Sequence, residues 1–201
     1  TIFDILIIVL LSLVCGLRYH VGSDYLLYKE AFENLATYER MELGITSLIN
    51  VLNFFNLSYA TFLCIMSFST ISIAYIAIKK HSETPYQSVL LFMCMGYYAM
   101  CFNGIRQMLA VAICLFSLKY LFKKDFWKYL VCIIIAGLCH YTSLVMIPLY
   151  FLVTRKYTKK QLTIFFCFSL AMYFLYEPLL YAFTHIFTQY SVYYYKTPMT
   201  Y

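Results

Sequence analysis

The apolar residues of this chain are gathered in runs rather than scattered, and an apolar run of roughly 18 or more residues predicts a helix that crosses a bilayer. Tyr59 to Ile78 is the cleanest, with no charged residue along its length. The same pattern predicts spans at residues 2–17, 86–102, 105–121 and 161–176, with a polar segment over 18–57. Residues 126–153 behave differently. Their two limbs meet at Cys139-His140-Tyr141-Thr142-Ser143, and each is only about a dozen residues, short of the roughly 20 a span needs. That predicts a re-entrant pair of half-helices or one broken span, whose irregular backbone survives at membrane depth only against protein or a water-filled cavity.

The polar segment has an order of its own. Tyr25, Tyr28, Phe32, Leu35 and Tyr38 recur at helical spacing, with Lys29, Glu30 and Glu33 mostly opposite. This predicts an amphipathic helix lying in the interface over Asp24 to Arg40. After it, Thr46, Asn50, Asn53 and Asn56 share roughly one face, which would line a sugar-binding groove or simply face interfacial water. A stripe of amides is costly in lipid. The hydropathy leaves residues 178–201 undecided. The expected class is all-α, a polytopic transmembrane bundle with re-entrant or broken helices and an extracytoplasmic amphipathic helix, forming a single domain over 1–201.

Composition agrees with the pattern. Of 201 residues 63% are hydrophobic and 12% charged, about half the charged share of a soluble domain. A soluble chain of this size could not hide so much apolar surface. The first residue is Thr1 rather than Met, and Ile2 to Leu17 is apolar from the outset, so the chain reads as part of a longer one and not as a mature domain behind a cleaved signal. Eight cysteines lie mostly inside apolar runs, with no CxxC pair and no histidine at zinc spacing, which reads as small buried hydrophobes rather than metal or catalytic thiols. The formal charge of +6 does not point to nucleic acid, because basic residues are not interleaved with stacking aromatics.

Loop charge sets orientation, with Lys and Arg favouring the cytoplasm. The segment Arg18 to Glu42 is acidic on balance and is placed outside. Lys79 and Lys80, then Lys119, Lys123, Lys124 and Lys128, then Arg155, Lys156, Lys159 and Lys160 are placed inside. The turn Phe102-Asn103-Gly104-Ile105-Arg106-Gln107 therefore lies outside. Arg18, Arg106 and His140, far apart in sequence, are expected at a similar depth near the outer face.

Several stretches are familiar in order. Gly16-Leu17-Arg18-Tyr19-His20-Val21-Gly22-Ser23-Asp24-Tyr25, continuing through Tyr28 to Phe32, resembles the first motif of the EpsG family of exopolysaccharide polymerases. Glu42-Leu43-Gly44, the Asn103 to Gln107 turn and Ala136 to Leu144 match the rest, over roughly residues 10 to 160. The resemblance implies a Wzy-like glycosyltransferase of the bacterial cytoplasmic membrane, with its active site facing outside. It would join oligosaccharide repeat units carried on undecaprenyl diphosphate. Its implied partners are that lipid-linked oligosaccharide, membrane lipids, and a chain-length regulator and flippase of the same pathway. No cofactor is expected, and with no DxD or helical acidic pair a metal-free reaction is favoured.

That chemistry assigns roles. A leaving diphosphate develops charge that fixed cations must face, and arginine offers forked donors to phosphate at any pH. Arg106 and Arg18 are the candidates, Arg106 preferred because an idle charge between two spans is expensive. The bland alternative is an arginine snorkelling to headgroups. The acceptor hydroxyl needs a base, for which His140, Asp24 and Glu42 all stand. Each has a structural alternative, a packed histidine or a solvated or ion-paired loop carboxylate. Tyr25, Tyr28, Asn103, Gln107 and Ser143 complete the expected substrate-binding set, with Ser143 also placed to cap the half-helix after the break. Gly22 and Gly44 are expected to serve turns. Asn56-Leu57-Ser58 has the form of a glycosylation sequon, discounted beside a membrane in a bacterial chain.

Three rival functions share some of these features. A membrane O-acyltransferase would also use a buried histidine, but would leave the outer arginines unexplained. A flippase for lipid-linked sugar would favour charges along the spans and internal repeats. A scaffold subunit would not need an intramembrane histidine.

Overall fold

The structure, a computed structural model, describes residues 1–34 and 41–186. All regular elements among them are helical. The chain divides into two compact units, 1–154 and the segment from Arg155 onward.

In the first unit α1 (Ile2–Gly16) lies antiparallel to the 23-residue α4 (Tyr59–His81). The first turn of α1 meets the last turns of α4 through Asp4, Tyr75 and Lys79, while Gly16 closes on Cys64 near the start of α4. Helix α4 begins at Ser58, whose side chain accepts from the Thr61 N–H, and ends in Lys79, Lys80 and His81, which suit the negative end of the helix dipole. Helix α7 (Ile105–Phe122) runs parallel to α4, so that the His81 and Phe122 rings, 5.9 Å apart, share one end. The loop Lys123-Lys124-Asp125 reverses the chain into α8 (Phe126–Cys139), where the Asp125 carboxylate accepts from the Lys128 N–H as N-cap. Lys79, Lys80, Lys123, Lys124 and Lys128 thus gather at one end of the bundle, and Arg106 and His140 at the other.

At 1.5 Å per residue α4 and α7 measure about 35 and 27 Å, close to the ~30 Å of a bilayer core. Among the described residues they are the two helices long and apolar enough to cross alone. Helix α8 has 14 residues and stops at His140, after which a 3-10 turn (Tyr141–Val145) leads into α9 (Met146–Thr154). The break expected within 126–153 is therefore present, at the predicted place. Tyr129, fully buried, donates through its hydroxyl to the Met146 carbonyl at 2.7 Å and ties the far limb back to α8.

Two expectations need correction. The span at 86–102 is interrupted. Helix α5 (Pro85–Cys94) ends at Met95-Gly96, and only a single turn, α6 (Tyr97–Met100), follows. The amphipathic helix is also shorter than expected, α2 (Tyr25–Glu33). Its aromatic face packs on protein instead of the interface, Tyr25 and Phe32 against Tyr59 and Phe32 against Phe62. Leu35 and Tyr38 lie outside the described residues. Helix α3 (Leu43–Phe54) carries Thr46, Asn50 and Asn53 of the expected stripe, whereas Asn56 lies past its C-cap Phe55 at φ +53° and off that face. Asn53 donates to the Phe32 carbonyl at 3.2 Å, so one member of the stripe ties α3 to the end of α2.

In the second unit α10 (Lys159–Phe174) bends by 66° at Leu175 into α11 (Tyr176–Ile186). Glu177 and Pro178 sit in the first turn of α11, where proline is tolerated. Tyr190, Tyr193, Tyr194 and Tyr195 lie outside the described residues.

Candidate functional site

At the Arg106 end of the first unit three helix termini converge. Glu42 is the N-cap of α3, with its carbonyl accepting from the Ile45 and Thr46 N–H groups at 3.0 Å. A carboxylate in that position ordinarily caps its own helix. Here it does not. It turns inward, its side chain 3% exposed, and divides its two oxygens between partners remote in sequence. Oε2 accepts from Nη1 of Arg106 in the first turn of α7, and Oε1 lies 2.7 Å from Nδ1 of His140 at the end of α8.

A missing side chain makes the convergence possible. A Cβ on Gly44 would stand 2.6 Å from the Leu138 carbonyl oxygen, so the first turn of α3 crosses the last turn of α8 backbone on backbone. Glu42 and His140 each lie two residues from that crossing. Gly44 was expected to serve a turn, and its work is this close approach.

Arg106 is held on a second side. Its Nε donates to the Tyr28 hydroxyl at 3.1 Å, and its guanidinium carbon lies 5.4 Å from the centre of the Tyr28 ring. Tyr28 itself is buried on α2. The guanidinium is therefore charge-balanced by Glu42 and braced by Tyr28. Removing one partner of a desolvated pair of this kind strands the other charge, at about 3–5 kcal/mol.

His140 differs from the other members because it has a second nitrogen. An ionised Glu42 can only accept, so in the neutral imidazole Nδ1 carries the proton and Nε2 the lone pair. The His140 side chain, with Gln107, Thr142 and Ser143, lines one end of a cavity of about 350 Å³ whose remaining walls are apolar. Ser143 Oγ is buried and has no hydrogen-bond partner. An imidazole oriented by a carboxylate beside an open volume can take a proton from a hydroxyl bound there.

The other expected residues fall elsewhere. Gly22, at φ +103°, lies so close to the 102–103 turn that a Cβ would meet the Phe102 carbonyl at 2.2 Å. The Ser23 N–H donates to Asn103 Oδ1 at 2.8 Å, and the Ser23 hydroxyl donates to Asp24 Oδ1 at 3.1 Å. Asn103 thus ties the loop down, and Asp24 belongs to this second polar group, with no ion pair among the described residues. Tyr25 is core, its ring against Tyr59 and its carbonyl accepting from the Tyr59 hydroxyl at 3.1 Å.

Arg18 contrasts with Arg106. It is 7% exposed, its Nη1 donates to the Cys15 carbonyl at 2.6 Å, and its guanidinium faces the Phe102 ring at 5.6 Å. Nε and Nη2 have no partner, and no carboxylate pairs with it among the described residues. Capping the end of α1 is worth up to about 1 kcal/mol, against several for a buried unpaired charge. Among the described residues Arg18 thus lacks an anion, and Arg106 has one.

The sequence reading missed Glu42 as the common partner of Arg106 and His140. The available signal was a glutamate at a helix N-cap with no basic residue one turn away. It also missed the apolar cavity, whose lining comes from α7 and the segment after the break.

No curated protein and no solved structure matches the chain. The model of the EpsG family matches it over residues 1–201, and the chain belongs to the EpsG family.

Proposed function

We propose that this membrane protein is a polysaccharide polymerase that transfers oligosaccharide repeat units from undecaprenyl diphosphate to a growing glycan at the outer face of the bacterial cytoplasmic membrane. The observation that carries the reading is the Glu42–Arg106–His140 cluster, whose His140 lines a largely apolar cavity. Family membership supports the reaction class.

In this reading His140 Nε2 takes the proton of an acceptor sugar hydroxyl as its oxygen attacks the anomeric carbon of the donor. The new glycosidic C–O bond forms and the bond from that carbon to the phosphate oxygen breaks. The electron pair leaves with undecaprenyl diphosphate, and the proton passes from the imidazole to water. Glu42 holds the ring in the tautomer that makes this possible and stabilises the imidazolium that forms. The diphosphate charge requires cations already in place. Arg18, which lacks a counter-charge among the described residues, suits that role, and Arg106 is the second cation of the reading. In this reading Asp24 and Gln107 bind sugar hydroxyls. A chain-length regulator and a flippase of the same pathway are the expected partners.

The test is polymer length in a host lacking its own polymerase, comparing the full-length protein with Arg106→Ala and His140→Ala at matched membrane levels. The expected result is long polymer from the wild type and single lipid-linked repeats from both variants. An unchanged ladder in either variant refutes the site. Repeats that fail to reach the outer face without the protein would replace polymerisation by a flippase function.

A further inference from the structure

The cavity beside His140 changes character along its length. One end carries His140, Gln107, Thr142 and the unpartnered Ser143 Oγ. Beyond it the walls are Val111, Cys114, Leu115 and Leu118 of α7, with Val145 and Met146 opposite. From Gln107 to Leu118 is eleven residues, about 16 Å along the helix, or roughly half the ~30 Å hydrocarbon core. Val111 and Val145, 47% and 71% exposed, leave one side open to the surroundings, which for a membrane helix are lipid.

A sugar does not fit these walls, because its hydroxyls would be left unpaired against hydrocarbon at a cost of about 1–3 kcal/mol each. Nor does water fill an apolar slot that offers it no partners. An amphiphile fits both parts, with its polar head at the His140 end and a hydrocarbon tail laid down the groove of α7. We infer that this groove holds the isoprenoid tail of the lipid-linked donor and thereby sets its diphosphate at the His140 end. The inference rests on the polymerase reading for its donor, and adds where the carrier lies and how it enters, sideways from the bilayer between α7 and the segment after the break.

The groove also makes a prediction about register. A tail anchored along α7 fixes the depth of the head, so the anomeric carbon is presented at one level irrespective of which sugars follow.

The test uses the full-length protein in membranes and a polyprenyl phosphate carrying a photoreactive diazirine in its chain, which needs no sugar and no turnover. Adducts are mapped by mass spectrometry, with undecaprenyl phosphate or phosphatidylglycerol as competitor. Adducts on residues 111–118 and 145–146 that only undecaprenyl phosphate displaces are the expected result. Val111→Trp, at a partly exposed position where a larger ring fills the groove without entering the core, should cut them by about tenfold, equivalent to ~1.4 kcal/mol of affinity. Equal displacement by phosphatidylglycerol overturns the inference, because the groove would then be ordinary lipid-facing surface. Adducts confined to other helices also overturn it. Polymer assays on the same membranes separate the two claims. Specific adducts without any polymer leave the groove standing and remove the polymerase. Wild-type polymer from Val111→Trp removes the groove and leaves the polymerase.

Discussion

Among the described residues two carboxylates are buried among the helices of the first unit, at opposite ends, and each is bonded to a cation. Asp4 on α1 accepts from Lys79 and from the Tyr75 hydroxyl at 2.5 Å on α4, with Tyr86 of α5 at 3.3 Å. Glu42 accepts from Arg106, itself braced by Tyr28, and meets His140. The difference lies in what the partners have left over. Asp4 is surrounded by groups whose bonds tie α1, α4 and α5 together, a clamp in a low-dielectric setting. Glu42 also ties helices, α3 to α7 and α8, but one of its partners is an imidazole with a second nitrogen on a cavity. The same physics of a satisfied buried charge thus gives a fastener at one end and an oriented imidazole at the other.

Replacing the shared carboxylate should have the largest effect. Glu42→Ala leaves Arg106 and His140 without their partner, so both polymer and stability should fall, the latter by about 3–5 kcal/mol, read as membrane level and thermal midpoint in detergent. Glu42→Gln keeps the volume but offers one acceptor oxygen where Arg106 and His140 need two, and should make no long polymer. Next in size, His140→Asn should slow polymerisation by about 10²–10⁴-fold while the thermal midpoint stays close to wild type. If rate and midpoint fell together, His140 would be a packing residue like the Asp4 partners. Gly44→Ala should separate α3 from α8 and cost about 1–3 kcal/mol through overpacking. Its polymerisation rate should fall further than that of Gly104→Ala, where a Cβ would meet only the Gln107 side chain at 3.4 Å.

A smaller effect is expected of Tyr28→Phe, which removes the hydroxyl bonded to Arg106 Nε and should lower the rate by roughly fivefold, about 1 kcal/mol. Least affected in rate is Lys79→Met. It should lower the thermal midpoint by stranding Asp4 and leave polymer made per molecule unchanged, with Asp4→Asn on the same chain recovering part of the midpoint. A per-molecule loss of polymer in Lys79→Met would dissolve the distinction between the two ends.

Much of the helical plan was legible in the chain. The run Tyr59–Ile78 announces α4, and the shortness of the limbs around Cys139–Ser143 announces the break at His140. The alternation of basic loops matches the gathering of lysines at one end of the bundle. Less was legible where a local pattern had two physical readings. The aromatic face of α2 has the spacing of an interfacial helix, but α4 offers Tyr59 and Phe62 to cover it, and protein replaced lipid as its apolar partner. The 86–102 run is apolar enough to span, yet it parts at Gly96, where hydropathy records nothing.

The site divides along the same line. That Arg18, Arg106 and His140 belong near one end follows from the sequence, because a bilayer forbids idle charge in its interior and so sorts ionisable residues by depth. Which of them bond to which does not follow. Glu42 lies 64 residues from Arg106 and 98 from His140, and its pairing with both depends on two helix ends meeting at Gly44 and Leu138. A depth is set by one residue's own transfer free energy and can be read one segment at a time. A partnership is set by the crossing of segments, and only the packed structure decides it.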